Sequence, residues 1–400
     1  MNAELLRALL GADAFVGTAA GGQPIVAPSG EAGVALVLER AAVHGWRVGV
    51  LGNGGWSPAD SPADLFLSTR RLNRILETSP GDLVVVAEAG VPFGHLRAAL
   101  AEEGVWTALD HPGRERTLGS LAATATAGPL RSGFGAIRDH LLGTTFVTGD
   151  GHVVRPGGKV VKNVAGYDLT KLVTGSFGAF GIVTSVTLRL RALPRADLTL
   201  VGSGSRDALL DSALAVLDAG VTPAALEVLA PAAGAAADWQ LAVRITGRAA
   251  AVASARDAVR HSASVDLAEL PPEDSAALWE AVQVTATSRP VTIRIAALPT
   301  ALESCIDELE HALGESWTTV SVGAGAVRWT GDADADALRR FRQWGATQEM
   351  PVTLERAPWP LRSAVGHFGE YREGTSRLVS AMRRAFDPRG VLLAPVGADT

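Results

Sequence analysis

The stretch GGKVVKNVAGYDLTKLVTGSFGAFG, residues 157–181, decides how this 400-residue chain is read. It carries Lys159, Lys162 and Lys171 in a chain that strongly favours arginine, and one of its two tyrosines. Gly175, Gly178 and Gly181 recur at every third position and lead into GIVT, the start of an apolar run that ends at Pro194. Glycine at this spacing lets backbone approach a planar ligand closely, because no Cβ intervenes. The amides of Ile182 and Val183 can then bond a ring edge. Lys162 and Asn163 would set positive charge and a donor beside a ring that gains negative charge on reduction. The plain alternative is a solvated basic edge.

Two further stretches ask for the same explanation. In VLGNGGW, residues 50–56, a strand over Arg47–Leu51 opens into Gly52, Asn53, Gly54 and Gly55, followed by Trp56. Bare amides in such a run suit a diphosphate, although an ordinary tight turn would read the same way. In TLGSLAATATAGPLRSGFGAIRD, residues 117–139, Thr117, Leu118, Gly119, Ser120, Gly128 and Gly135 keep side-chain volume low. Backbone lying along an extended ligand needs that, since each Cβ would occupy ligand volume. Arg131 within the run is a candidate donor to an anion or carbonyl. A small-residue helix packed closely on a sheet is the alternative here.

Composition removes other classes. An apolar fraction of 47% suits a packed globular chain. A net charge of −6 gives no basic field for nucleic acid. The single Cys305 excludes an internal disulfide framework and an iron–sulfur or zinc site made from this chain's own thiolates. No apolar run approaches membrane-span length, and the N-terminus lacks the basic region of a secretory signal, so a cytoplasmic address is expected. There is no GxxxxGK[ST] loop, no HExxH helix and no GxSxG elbow. LTLVGSGSRDALL, residues 198–210, imitates a Rossmann turn but lacks its third glycine. The eight histidines are dispersed, with no metal spacing, so no metal is expected. His367, set between glycines in GHFGE, is the one best placed to face a ligand, and it joins Lys162 as a catalytic candidate.

Strands and helices alternate up to Pro194. EAGVALVLERAAVHG places Val34, Val37, Leu38 and Ala41 on one helical face, with Ser29 as cap and Gly45 as stop. TTFVTGDGHVVRP reads as a hairpin, with Asp150-Gly151 supplying the positive φ its turn needs. Beyond Arg195 the chain is alanine-rich, and helices over 207–219, 300–313 and 332–344 alternate with strands over 240–245, 291–296 and 326–330. That pattern predicts an α+β unit, an antiparallel sheet with helices on one face. Two domains follow, 1–194 and 195–400, with the C-terminal tail returning to the first.

Taken in order over Ala27–Leu190, these stretches resemble the FAD-binding domain of the vanillyl-alcohol oxidase (VAO), or PCMH, type. The match runs through VAPSGEAGVALVLERAAVHG, VLGNGGW, TLGS and GPLRSGFGAIRDHLLG to the opening stretch. Within that family the last two look most like the FAD-binding subunit of bacterial glycolate oxidases. The resemblance implies an α+β fold, with a two-part PCMH-type FAD-binding domain and an α+β cap domain built on an antiparallel sheet. It implies hydride transfer from the Cα of a 2-hydroxy acid to flavin N5. A second flavoprotein and an iron–sulfur subunit would be partners, and could hold the complex at the inner face of a membrane. The glycine-rich loop lacks the histidine that some relatives link to FAD, so the flavin is expected to be non-covalent. Two other readings stay open: a self-sufficient oxidase or dehydrogenase of another alcohol, sugar or lactone, and a subunit that binds FAD only for electron relay or assembly.

Overall fold

A computed structural model describes residues 7–8, 11, 14–19, 21–53, 61–113, 115–159, 166–231, 238–369 and 374–393. Val34, Val37, Leu38 and Ala41 are the buried face of the helix Glu31–His44, as a 3.6-residue period requires. Gly45 ends it at φ 69°, returning its N–H to the Ala41 carbonyl. The N-cap is Gly30, with no side-chain hydrogen bond, so Ser29 does not cap this helix.

That apolar face packs on a four-stranded sheet of order β1-β2-β4-β3. Its strands are β1 (Phe15–Thr18), β2 (Pro24–Val26), β3 (Val48–Leu51) and β4 (Leu65–Ser68). β2, β4 and β3 run parallel, and β1 closes the edge antiparallel. A five-stranded antiparallel sheet follows, of order β5-β6-β10-β8-β9. It comprises β5 (Ile75–Ser79), β6 (Val84–Glu88), β8 (Leu141–Val147), β9 (Val153–Val154) and β10 (Ile182–Arg189). β7 (Val105–Trp106) and β11 (Arg191–Ala192) pair separately. In the β8–β9 hairpin only Gly151 takes a positive φ, 89°, and Asp150 does not.

The remaining strands are β12 (Ala196–Gly204), β13 (Ala225–Leu229), β14 (Trp239–Gly247), β15 (Ala268–Glu269), β16 (Val291–Ala296), β17 (Trp317–Ser321), β18 (Ala326–Gly331) and β19 (Val352–Arg356). They form one antiparallel sheet of order β15-β12-β14-β13-β17-β18-β16-β19. The Rossmann-like stretch is therefore an antiparallel strand, β12, followed by a helix that Ser205 caps. Register sets Val228 opposite Val320, and Val320 opposite Val327, on a face buried with Trp329, Ile293 and Leu354 in the largest core. The alternate residues are polar: Glu227 pairs with Ser321, and Arg328 pairs with both Thr319 and Arg294.

An antiparallel sheet commonly turns such a face to water. Here it is covered, with Glu227, Thr292, Thr330 and Glu355 at most 1% exposed. The helix Pro272–Thr285 covers part of it, Trp279 Nε1 donating to Thr199 Oγ1 at 2.9 Å. Helices thus lie on both faces, not on one. The chain end returns to β3: Val48 N–H donates to Val391 O at 2.8 Å, and Leu393 N–H to Val48 O at 3.0 Å.

Candidate functional site

The three glycine-rich stretches meet beyond the end of β3. A Cβ on Gly52 would stand 2.7 Å from Thr117 Oγ1 and 3.5 Å from Ser120 Cβ. The loop after β3 therefore lies against the start of the helix Leu118–Thr124, where Thr117 Oγ1 caps by accepting from Ser120 N–H. The helix ends in left-handed Ala125, φ 50°. There the opening stretch joins it: Gly175 N–H donates to Ala122 O at 3.0 Å, and Phe177 N–H to Ala123 O at 2.8 Å. Phe177 is itself left-handed, φ 53°. Asn53 is exposed beside Gly52, while Gly54, Gly55, Trp56, Lys162 and Asn163 lie outside the described residues.

Most of the glycines are small because protein, not open space, lies next to them. A Cβ on Gly119 would meet Ala89 Cβ at 2.5 Å; on Gly128, Asp110 Cγ at 2.7 Å; on Gly135, Asp139 Oδ2 at 2.9 Å; on Gly181, Phe146 Cδ2 at 2.6 Å. The expectation that each spares ligand volume is corrected for these four. Gly178 differs, with its nearest neighbour 3.9 Å away and φ +82°. Leu118 turns its side chain into the core and donates its N–H to Val91 O. Ile182 and Val183 are buried and pair with Val147 and Phe146 of β8, while β6 begins to pair with β10 only at Ser185. Their β6-side flank carries no strand pairing among the described residues.

The opposite wall comes from the last third of the chain. His367 is fully buried, with its ring edge-on to Phe177, 4.0 Å between centroids, and 4.6 Å from Phe368. Among the described residues neither ring nitrogen has a hydrogen-bond partner. Burial, then the charges of Arg362, Arg342 and Arg294, hold its pKa well below the ordinary histidine value. A neutral imidazole is left with one unused donor and one unused acceptor.

Beside it, Glu355 lies where β19 shifts register against β16 and binds two guanidiniums: Arg294 Nε at 3.1 Å and Arg328 Nε at 2.8 Å. Burial alone would raise the Glu355 pKa, but Arg328 and Arg294 overcome it and hold the carboxylate below its usual range. Arg328 also donates to Ala127 O at 3.0 Å, tying the sheet to the small-residue run. Just before that run, Arg116 donates to the Thr124 and Thr126 hydroxyls, and burial above all brings its pKa down to about 10. Arg131 faces the same group; burial first, then Arg294 and Arg328, lower its pKa. Its guanidinium makes no hydrogen bond or ion pair among the described residues.

Sequence reading picked out Arg131 and His367 but missed Arg116, Arg294, Arg328 and Glu355. The signal was there in VTIRIA and AVRWTG, where an arginine interrupts an apolar alternation. Four guanidiniums around one carboxylate leave an excess of positive charge, and a ligand with anionic groups would balance it. The bare amides near Gly52 and Gly178, the flank of β10 and the orphaned imidazole are donors and spaces that suit a flavin dinucleotide.

Comparison with known proteins agrees. Residues 23–157 match the FAD binding domain family model. Glycolate oxidase subunit GlcE of Escherichia coli K12 is 40% identical over 136 residues, 34% of this chain and 39% of that protein. Glycolate oxidase subunit GlcD of Bacillus subtilis is 32% identical over 178 residues, 44% and 37% of the two chains. The matched part thus spans well under half the length of these relatives. Among solved structures, 4-ethylphenol oxidase from Gulosibacter chungangensis superposes with a TM-score of 0.71 over 92% of this chain and 88% of its own, at 15% identity, a likeness of fold. Domain match, relatives and fold point the same way: residues 23–157 are a domain of the FAD-binding family, the fold is that of VAO/PCMH-type oxidases, and the cofactor is FAD.

Proposed function

We propose that this FAD-dependent oxidoreductase oxidises a small 2-hydroxy acid, and that it does so as the FAD-binding subunit of a glycolate-type dehydrogenase complex. The observation that carries the reading is Arg131, a guanidinium without a hydrogen-bond or ion-pair partner among the described residues, within reach of the charges of Arg294, Arg328, Asp139 and Glu355. A substrate carboxylate supplies the missing negative charge.

Bound FAD supplies the acceptor for a hydride. Gly52, Asn53 and the capped start of the 118–124 helix would hold its diphosphate, with Gly178 and the free flank of Ile182–Val183 against the ring. Arg131 and Arg294 bind the carboxylate. His367, neutral and buried, takes the hydroxyl proton, so that the alcohol leaves as a 2-oxo acid having lost a proton and a hydride. Phe177 and Phe368 keep water from the imidazole.

Partner subunits are supported by the relatives, which are themselves named as subunits of glycolate oxidase. Cys305 is buried, its thiol pushed up to about 12 by burial, a poor ligand for iron. Electrons would leave through another chain. Among the described residues no helix is long and apolar enough to cross a membrane, so any membrane association would come through those partners.

The test is anaerobic addition of glycolate and D-lactate to the yellow protein, alone and with its neighbouring subunits. Bleaching of the flavin band is expected. Bleaching by the isolated chain would make it self-sufficient. A flavin that no 2-hydroxy acid reduces in either setting overturns the substrate reading and leaves electron relay.

A further inference from the structure

Behind the arginine wall, Glu227 faces a small void between the run that carries Arg131 and the eight-stranded sheet, and the Asp110 carboxyl packs against Gly128 of its lining. Asp110 is 7% exposed and Glu227 1%. Asp110 Oδ2 accepts from Leu130 N–H at 3.0 Å, and Glu227 Oε2 accepts from Ser321 Oγ at 2.9 Å. Among the described residues the other oxygen of each, Asp110 Oδ1 and Glu227 Oε1, has no hydrogen-bond partner. Glu227, His111, Thr319, Gln283 and Arg328 line the void, which has room for about one water. Two buried carboxyls, each with an orphaned oxygen, next to a water-sized space are costly as two anions and as two neutral acids lacking an acceptor. One proton between them removes both problems.

We propose that Asp110 and Glu227 share a single proton across this seam, and that the pair positions Arg131 and Arg328. Asp110 anchors Leu130, the residue before Arg131. Glu227 leans on Arg328, which reaches over to Ala127. The surrounding groups agree. Burial pushes Asp110 up to about 6 against the backbone N–H of Leu130 and the charges of Arg244 and Arg97. Burial, with Asp110 adding to it, pushes Glu227 up to about 8 against Ser321 and Arg328. His111 stays neutral, brought down to about 4 mainly by burial, then by Arg116. The inference rests on the fold and is independent of the substrate reading.

The sign of the pH effect follows. Raised folded pKa values contribute stability that is present at low pH and lost as pH rises through about 6 to 8. The experiment measures the unfolding midpoint of the holoprotein from pH 5 to 9 for the wild type, Glu227→Gln, Asp110→Asn and the double variant. Each single variant should flatten the decline, and the double should flatten it by less than the two single effects summed, because one proton is shared between the two groups. Infrared spectra of the wild type should show a protonated carboxyl band at neutral pH that Glu227→Gln removes. Additive pH effects, or no such band, overturn the proposal. If Asp110→Asn fails to fold, Glu227→Gln and the infrared band decide alone.

Discussion

The edge-on contact of His367 with Phe177 joins the two halves of the site: a ring from the last third of the chain rests on the left-handed residue of the glycine turn. The imidazole is thereby fixed against the glycine turn, with neither nitrogen hydrogen-bonded among the described residues. His367→Ala should leave FAD bound, because no cofactor-side hydrogen bond is removed from the Gly52 loop. Reduction by substrate should slow by about 100-fold or more, the usual range for a lost general base. Stopped-flow flavin reduction checks this. Because His367 is held well below 6.5, the rate should keep its value as pH falls through that region.

Arg131 gives a different signature. Arg131→Met removes a charged donor that no described protein group uses, so folding and FAD content should hold. A charge-assisted hydrogen bond contributes about 1.5–3 kcal/mol, so KM for a 2-hydroxy acid should rise roughly tenfold or more. Steady-state kinetics beside an FAD titration separates the two. An unchanged KM returns Arg131 to the bulk of the seam.

Two glycines separate packing from ligand space. Gly119→Ala drives a Cβ to 2.5 Å from that of Ala89, an overpacking that costs about 1–3 kcal/mol and should lower the unfolding midpoint of the apoprotein. Gly178→Ala meets nothing nearer than 3.9 Å and pays only a left-handed backbone cost of about 1–2 kcal/mol. It should weaken FAD binding in the folded protein far more than Gly119→Ala does. Flavin fluorescence titration of both variants provides the measurement.

Period and turn chemistry made much of this fold legible. The four buried residues of the Glu31–His44 helix, Gly45 as its stop, and strand Val291–Ala296 follow from spacing alone. β13, β17 and β19 did not, because Glu227 and Glu355 sit at strand positions that local polarity assigns to solvent. Their burial depends on register and on a run some 100 or more residues away, which no window along the chain contains. For the same reason glycine richness pointed to the right place, while Ala89 and Asp110 as the neighbours of Gly119 and Gly128 could be seen only in three dimensions.

Glu355 tests the wall as a whole. Both its oxygens engage arginines, at 3.1 and 2.8 Å, in a site 1% exposed. Removing one partner of such a buried group leaves uncompensated charge and costs about 3–5 kcal/mol, so Glu355→Gln should unfold at markedly lower temperature. The pH effect runs opposite to that of the Asp110–Glu227 pair. A carboxylate held below its ordinary value contributes stability that is present above the unfolded pKa of about 4.5 and lost as pH falls through the folded value. Wild-type protein should therefore lose stability on acidification below about pH 4.5, and Glu355→Gln should have already lost that part. Calorimetric scans of both proteins between pH 3 and 7 measure it; parallel curves would mean that Glu355 is not the group the arginines hold ionised.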